Sequence, residues 1–466
     1  MPVPDRGHPA KYRILAALMA GTILGPIDSS IVNVILPTIT GEFSASLATA
    51  EWVPMVYLLT IGSLVLFFGR LGDIWGYRKV FLAGLLGFVV TSCLCGASPT
   101  IHWLIVFRAF QGVAAGMLLS VPLAMVTGVF PAAERGKALG LFAVSISVGL
   151  ATGPSLGGFL TAALGWRAAF FINLPVGLAA FAFARKVLPD MRGRPGPIDL
   201  RGAFTGLGAL AAFLLFVNRA QETGLTSATG TLLAASLILG TLFLRTERRA
   251  TEPMLDLRLF RSLTLTFGAV AALLNFMSQY VVVFLTPFYL QRVLGAGAGH
   301  VGLVMTAFPL AVLVVAPFAG ALSDRIGTSA PAALGTFVGA LACFLMAGLP
   351  GAGDASIEWK LALFGVGMGL FQSPNNSAVM GSAPREQLGV VSSLLGTMRT
   401  VGMVLGVAAA GAFLYAVVPA QALRTPDLPP AEAVDFLRGL RHAYVAGGAF
   451  ASLAAILSVV RGRRSF

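Results

Sequence analysis

The chain has 466 residues, 57% of them hydrophobic and only 11% charged, with a mean hydropathy of +0.86. A soluble domain needs a polar shell that this composition does not supply, which excludes a soluble fold. A formal net charge of +13 would suit a nucleic-acid partner, but the basic residues alternate from loop to loop as membrane topology requires.

Apolar runs punctuated by charge, Gly and Pro predict helices over Ile14–Leu36, Trp52–Phe68, Val80–Ala97, Ile101–Ala124, Ala138–Leu160 and Ala169–Leu188. Two more follow over Gly202–Val217 and Thr229–Leu244. The last six are Leu265–Leu285, Val301–Leu322, Pro331–Leu349, Glu358–Met380, Val390–Val418 and His442–Val460. At roughly 20 residues each they suit ~30 Å of hydrocarbon, so the fold expected is an all-α polytopic membrane protein of about 14 spans. Most of the 32 Lys and Arg fall in loops on the side of the N-terminus, which places both termini in the cytoplasm and the chain in the inner (plasma) membrane. The first apolar run is too long for a signal-peptide core and is expected to remain uncleaved. Cys93, Cys95 and Cys343 lie inside apolar stretches and read as packing residues.

The chain repeats itself. Gly69-Arg-Leu-Gly-Asp73 closes the second predicted helix and Gly320-Ala-Leu-Ser-Asp324 the tenth, 251 residues later. Six helices account for only about 175 residues, so about 75 have been inserted between two six-helix halves. The expected plan is an N-terminal half over 1–189, an inserted two-helix segment with linkers over 190–261, and a C-terminal half over 262–466.

Several motifs carry a resemblance. Gly69-Arg-Leu-Gly-Asp-Ile-Trp-Gly-Tyr-Arg-Lys-Val80 resembles the loop between the second and third helices of the major facilitator superfamily. Leu104-Ile-Val-Phe-Arg108-Ala-Phe-Gln111-Gly112 is similar to its fourth-helix arginine motif, and Gly149-Leu-Ala-Thr-Gly153-Pro154-Ser-Leu-Gly157-Gly158 to the fifth-helix motif associated with antiporters. Ile27-Asp28-Ser-Ser-Ile-Val-Asn-Val-Ile-Leu-Pro37 resembles the first-helix motif of the fourteen-helix drug:proton antiporter branch, as do Gly165-Trp-Arg-Ala-Ala-Phe-Phe-Ile-Asn-Leu-Pro-Val-Gly177 and Glu252-Pro-Met-Leu-Asp-Leu-Arg-Leu-Phe260. Ser30 stands where the branch often has Thr, and Ile35 where it often has Ala. The resemblance implies two six-helix bundles plus two inserted helices. It also implies a cytoplasmic gate of Gly69, Asp73, Gly76, Arg78 and Asp324 supported by Arg399, and a fifth helix whose Gly149, Gly153, Pro154, Gly157 and Gly158 seal the halves. Each has a plainer reading, a loop that only sets orientation and small residues that only let helices approach.

Polar residues deep in apolar helices cost free energy in lipid and must face the protein interior or a cavity. They are Asp28 and Asn33 on the first helix, Arg108 and Gln111 on the fourth, Asn275 and Gln279 on the ninth, and Gln372, Asn375 and Asn376 beside Pro374 on the twelfth. The resemblance implies that these same four helices line a central substrate cavity. Asp28 lies ~13 Å from the outer end of its helix and Arg108 ~10 Å from the end of its own, so the two can pair. Two readings stay open: a permanent structural ion pair, or a carboxylate that alternates between protonated and charged and carries the coupling proton.

No phosphate-binding loop and no cluster with metal-ligand spacing occurs, so neither an enzyme nor a metal or other cofactor is expected. The function expected is a proton-coupled efflux antiporter for amphipathic small molecules, drugs or toxic organic cations among them, working by alternating access. The partners are that substrate, protons and the lipid bilayer, with a periplasmic adaptor protein where the host has two membranes. The alternatives are a proton-coupled uptake symporter for one metabolite and a non-transporting membrane sensor on the same fold.

Overall fold

The structure is a computed structural model that describes residues 8–191, 200–249, 262–348, 354–382, 388–418 and 430–463. Among these the long helices are α1 (Lys11–Glu42), α2 (Leu47–Trp75), α3 (Tyr77–Gly96), α4 (Ile101–Val129), α5 (Ala132–Leu164), α6 (Ala168–Val187), α7 (Leu200–Thr223) and α8 (Ser227–Arg249). They continue as α9 (Leu263–Val293), α10 (Ala298–Ile326), α11 (Ser329–Met346), α12 (Asp354–Gly381), α13 (Leu388–Tyr415) and α14 (Pro430–Arg463). Twelve of the fourteen hold a segment long and apolar enough to cross a bilayer. Of the other two, α7 has a shorter apolar run, Phe204–Ala220, and α12 has the length but is interrupted by Gln372, Pro374, Asn375 and Asn376.

Local chemistry sets the ends and breaks. Ser46 and Ser262 cap α2 and α9 by accepting from the backbone N–H groups of Thr49 and Leu265. Pro122 has no N–H to give, and α4 breaks just before it. The turns from α2 to α3 and from α10 to α11 pivot on Gly76 (φ 101°) and Gly327 (φ 85°), a region closed to ordinary side chains. These two glycines are again 251 residues apart, so the sequence repeat is also a repeat of backbone geometry.

Helices α1–α6 form one bundle, in which α2 and α3 pack on α4, α5 on α1, and α6 on α3. Helices α9–α14 form the second, with α10 and α11 on α12 and with α13 and α14 on α9. The bundles meet along two seams, α5 with α10 and α2 with α13, while α1 touches α9 and α10. Helix α7 covers the α2/α13 seam and α8 packs against α7. Residues 192–199 and 250–261, which hold the expected ends of the inserted segment and the Glu252–Phe260 motif, lie outside the described residues.

The second helix begins at Leu47 rather than at the predicted Trp52. That first turn, capped by Ser46, brings in Glu51, which is completely buried. Asp28 is therefore not the one buried carboxylate: a charged residue near a helix end does not stop a helix that is capped.

Candidate functional site

Asp28 follows a break in α1, where the segment Lys11–Thr22 gives way to Leu24–Glu42. It faces inward with 1% exposure, and Arg108 on α4 is completely buried beside it. A guanidinium nitrogen of Arg108, Nη1, pairs with Asp28 Oδ2 and also donates to Gln111 Oε1 at 2.6 Å. Gln111 Nε2 donates to Asp28 Oδ1 at 3.0 Å and to Ser92 Oγ at 2.7 Å. From α6, Asn173 Nδ2 donates to the same Oδ1 at 3.1 Å and approaches Ser92 Oγ at 3.3 Å. The back of Arg108 is held by the Val53 carbonyl, 3.3 Å from Nε, and by the Tyr57 ring, whose centroid lies 4.0 Å from the guanidinium carbon.

Five helices thus converge on one carboxylate, and both of its oxygens already accept. A proton on Oδ1 would face two amide donors, whereas Oδ2, which accepts from Arg108, keeps a lone pair to take one. The carboxylate thereby ties α1 to α4 and α6. The site joins Asp28 and Arg108, whose depths allowed a pair, and adds Gln111, which was expected on the substrate cavity and is completely buried against them. Sequence reasoning missed Ser92, Asn173 and Tyr57; of these only Asn173 left a signal, standing inside the Gly165–Gly177 motif.

The other expected cavity residues divide. The Tyr280 hydroxyl of α9 lies against Ser29 and Asn33 of α1, with both Arg108 and Arg399 in electrostatic range. Asn33 Oδ1 and Gln279 Oε1 are buried acceptors without a hydrogen-bond partner among the described residues. Asn275 donates to Met368 Sδ. Asn375 is occupied within the C-terminal bundle, donating to the Gly268 carbonyl at 3.1 Å and accepting from Arg461 at 2.6 Å. Gln372 is half-buried, while Asn376 is exposed. Asn375 and Asn376 therefore diverge, because neighbouring residues on a helix point about 100° apart.

Contacts between the bundles concentrate at the Leu164 end. Ser155 and Thr306 hydroxyls meet at 2.6 Å, Thr38 donates to Gln291 at 3.1 Å, and the Ala48 N–H donates to the Tyr415 hydroxyl at 2.8 Å. Glu51 fills the space where a Cβ on Gly411 would sit. A Cβ on Gly158 or Gly302 would strike the opposing backbone of the other helix. Of the expected sealing residues, Gly149, Gly153 and Gly157 instead face Ile23, Ser30 and Ile31 of α1, inside their own bundle. Only Gly158 and the Pro154 carbonyl face α10. At the opposite end, among the described residues, only the Ser120 carbonyl lies near Gly69 and nothing lies beside Gly396 on α13.

In the expected gate, Asp73 accepts from the Tyr77 hydroxyl at 2.5 Å and Arg78 donates to the Arg185 carbonyl at 2.7 Å. The side chain of Asp324 lies outside the described residues. Arg399 sits one residue from Thr400, which meets Gly62 across the α2/α13 seam. That is about 16 Å along α13 from its start, and its charge is felt by Tyr280. This places Arg399 beside the central polar residues and away from the loop it was expected to support.

Among the described residues no group of His, Cys, Asp and Glu could hold a metal ion. The sequence pattern of the Major Facilitator Superfamily matches residues 18–407. The riboflavin transporter RibZ of Clostridioides difficile is 31% identical over 85% of this chain and 87% of its own length. The tetracenomycin C resistance and export protein of Streptomyces glaucescens is 32% identical over 88% of this chain and 76% of its own. A solved bacterial homologue of the human lysosomal transporter Spinster, inward-facing and unoccupied, superposes with a TM-score of 0.70 at 18% identity, covering 98% of this chain and 97% of that one.

Proposed function

This chain belongs to the Major Facilitator Superfamily, a family of multi-span membrane transporters rather than enzymes, and from that premise we propose that it is a proton-coupled exporter of amphipathic small molecules. The observation that carries the reading is the Asp28 carboxylate, buried at mid-membrane depth, paired with Arg108 and tied to α3, α4 and α6 through Ser92, Gln111 and Asn173. An intramembrane carboxylate tied to the packing of a bundle suits a proton carrier, because protonation weakens its pairing with Arg108 and with the amide donors that join the helices. Export is favoured over uptake by the tetracenomycin C relative, whose name is that of an export protein.

In the proposed cycle the bundles rock about the α5/α10 and α2/α13 seams. With the Leu164 end closed and the Gly69 end parted, the cavity takes substrate from the cytoplasm while Asp28 gives up its proton. The reverse arrangement releases the substrate outside and reloads Asp28. This reading puts both termini in the cytoplasm and the chain in the plasma membrane. The inserted helices α7 and α8 stay outside the path, and a periplasmic adaptor is a partner only where a second membrane exists.

Everted membrane vesicles with an acid lumen test the proposal. An exporter accumulates substrate there and releases lumenal protons; a symporter accumulates none, and a sensor moves nothing. A panel drawn from a toxicity screen of cells with and without the protein supplies the substrates.

A further inference from the structure

Among the described residues, charge in the middle of the molecule is unbalanced. Asp28 is neutralised by Arg108 and further held by Gln111 and Asn173. Glu51 is packed at the closed end against Gly411, away from the middle of the bundle. The C-terminal bundle contributes to the centre the neutral groups Gln279 and Tyr280 and one charged group, Arg399. Arg399 is half-buried, and among the described residues it has no carboxylate partner and no hydrogen bond; its electrostatic neighbour is the Tyr280 hydroxyl. Tyr280 is fixed on both sides, by Ser29 and Asn33 of α1 and by Gly406 of α13, whose missing Cβ leaves room for the Tyr280 Cβ.

A half-buried guanidinium without a counter-charge is costly unless something negative visits it. On the facing helices α1 and α9 two buried acceptors lack donors among the described residues, Asn33 Oδ1 and Gln279 Oε1. We propose that the molecules this protein transports are amphipathic acids, bearing a carboxylate or ionised phenol on an apolar body that also carries hydroxyl donors, and that Arg399 holds the acidic end. The inference rests on the reading of this cavity as the transport site. It replaces the expectation of an organic-cation cargo, since a cation would meet an unmatched positive charge and an Asp28 already paired.

The test uses two dyes with a shared xanthene ring and opposite charge, the anion fluorescein and the cation rhodamine 123, bound to the purified full-length protein in nanodiscs. Fluorescein is expected to bind about tenfold or more tightly than rhodamine 123, the scale of one charge-assisted hydrogen bond set. Arg399→Gln should erase that preference and Arg399→Lys should keep most of it, which separates lost charge from lost folding. Tighter binding of rhodamine 123, or a preference that survives in Arg399→Gln, overturns the proposal. The same dyes in everted vesicles separate the two levels of the reading. If rhodamine 123 is exported and fluorescein is not, the charge assignment falls while the exporter stands; if no dye or screened compound moves, the exporter reading falls first and takes this one with it.

Discussion

Asp28 accepts three donors on two oxygens, so changing any one of them has a readable cost. Asp28→Asn removes the proton carrier and is expected to abolish gradient-driven transport. It also leaves Arg108 buried without its partner, a loss of about 3–5 kcal/mol in comparable buried pairs. The double variant Asp28→Asn with Arg108→Gln is expected to recover most of that stability without recovering transport. Thermal unfolding in detergent and vesicle uptake check the two halves of the prediction; transport restored in the double variant would show that the proton travels elsewhere. Asn173→Ala should cost about 1–3 kcal/mol, the penalty for a buried polar partner left short of a donor, and a melting temperature equal to that of the unmodified protein would remove Asn173 from the site. The pair Asp28 and Arg108 was legible in the sequence because ionisable groups are conspicuous in apolar helices, while Gln111 was noticed but assigned to the cavity wall. Ser92 and Tyr57 were not, since a serine hydroxyl can satisfy itself on its own helix backbone and a tyrosine reads as one more apolar ring. Arg399 was misplaced for a related reason: its position is fixed by the sequence, but the direction of so long a side chain is decided by neighbours on other helices.

On the scale of the helix, the apolar windows gave the order and number of segments, and the Gly69/Gly320 spacing gave the two-fold repeat that Gly76 and Gly327 display in their backbone angles. What the windows could not give was extent. Capped or amphipathic ends continue past the apolar run, as at Leu47 in α2 and Pro430 in α14, because a helix ends where its backbone loses partners and not where its side chains turn polar. Nor could small-residue spacing assign partners: Gly149, Gly153 and Gly157 serve α1, and Gly158 alone serves α10. Gly302→Ala would press a Cβ into the Pro154 carbonyl, an overpacking worth roughly 1–3 kcal/mol. It is expected to lengthen spin-label distances across the Leu164 end, and unchanged distances would contradict the seam. At the other end, Asp73→Asn is expected to weaken closure and raise the fraction parted at Gly69, which the same labels placed across that end can measure. Helix α8 is mostly exposed and packs against α7; cysteines scanned along it should show no protection by substrate, and one protected position near its middle would bring it into the path.

For the molecule as a whole, the sign of the cargo sets the driving force. One proton entering against one monovalent cation leaving is electroneutral, so only the pH gradient acts, at ~1.4 kcal/mol per unit. One proton against a monovalent acid moves two charge equivalents, adding about 4.6 kcal/mol per 100 mV. Clamping the potential at zero with valinomycin and potassium is therefore expected to remove most of the export of an acidic substrate and none of that of a cation. A rate for the acid that ignores the clamp would contradict either the stoichiometry or the charge. The Gly158/Gly302 crossing adds a mechanical consequence. Backbones that touch without side chains between them act as a fulcrum, and along α10 the far end at Ile326 lies about 36 Å from Gly302 at 1.5 Å per residue. A rotation of about 10° at that fulcrum would carry Ile326 through about 6 Å, the width of an aromatic ring, while Gly302 itself scarcely moves.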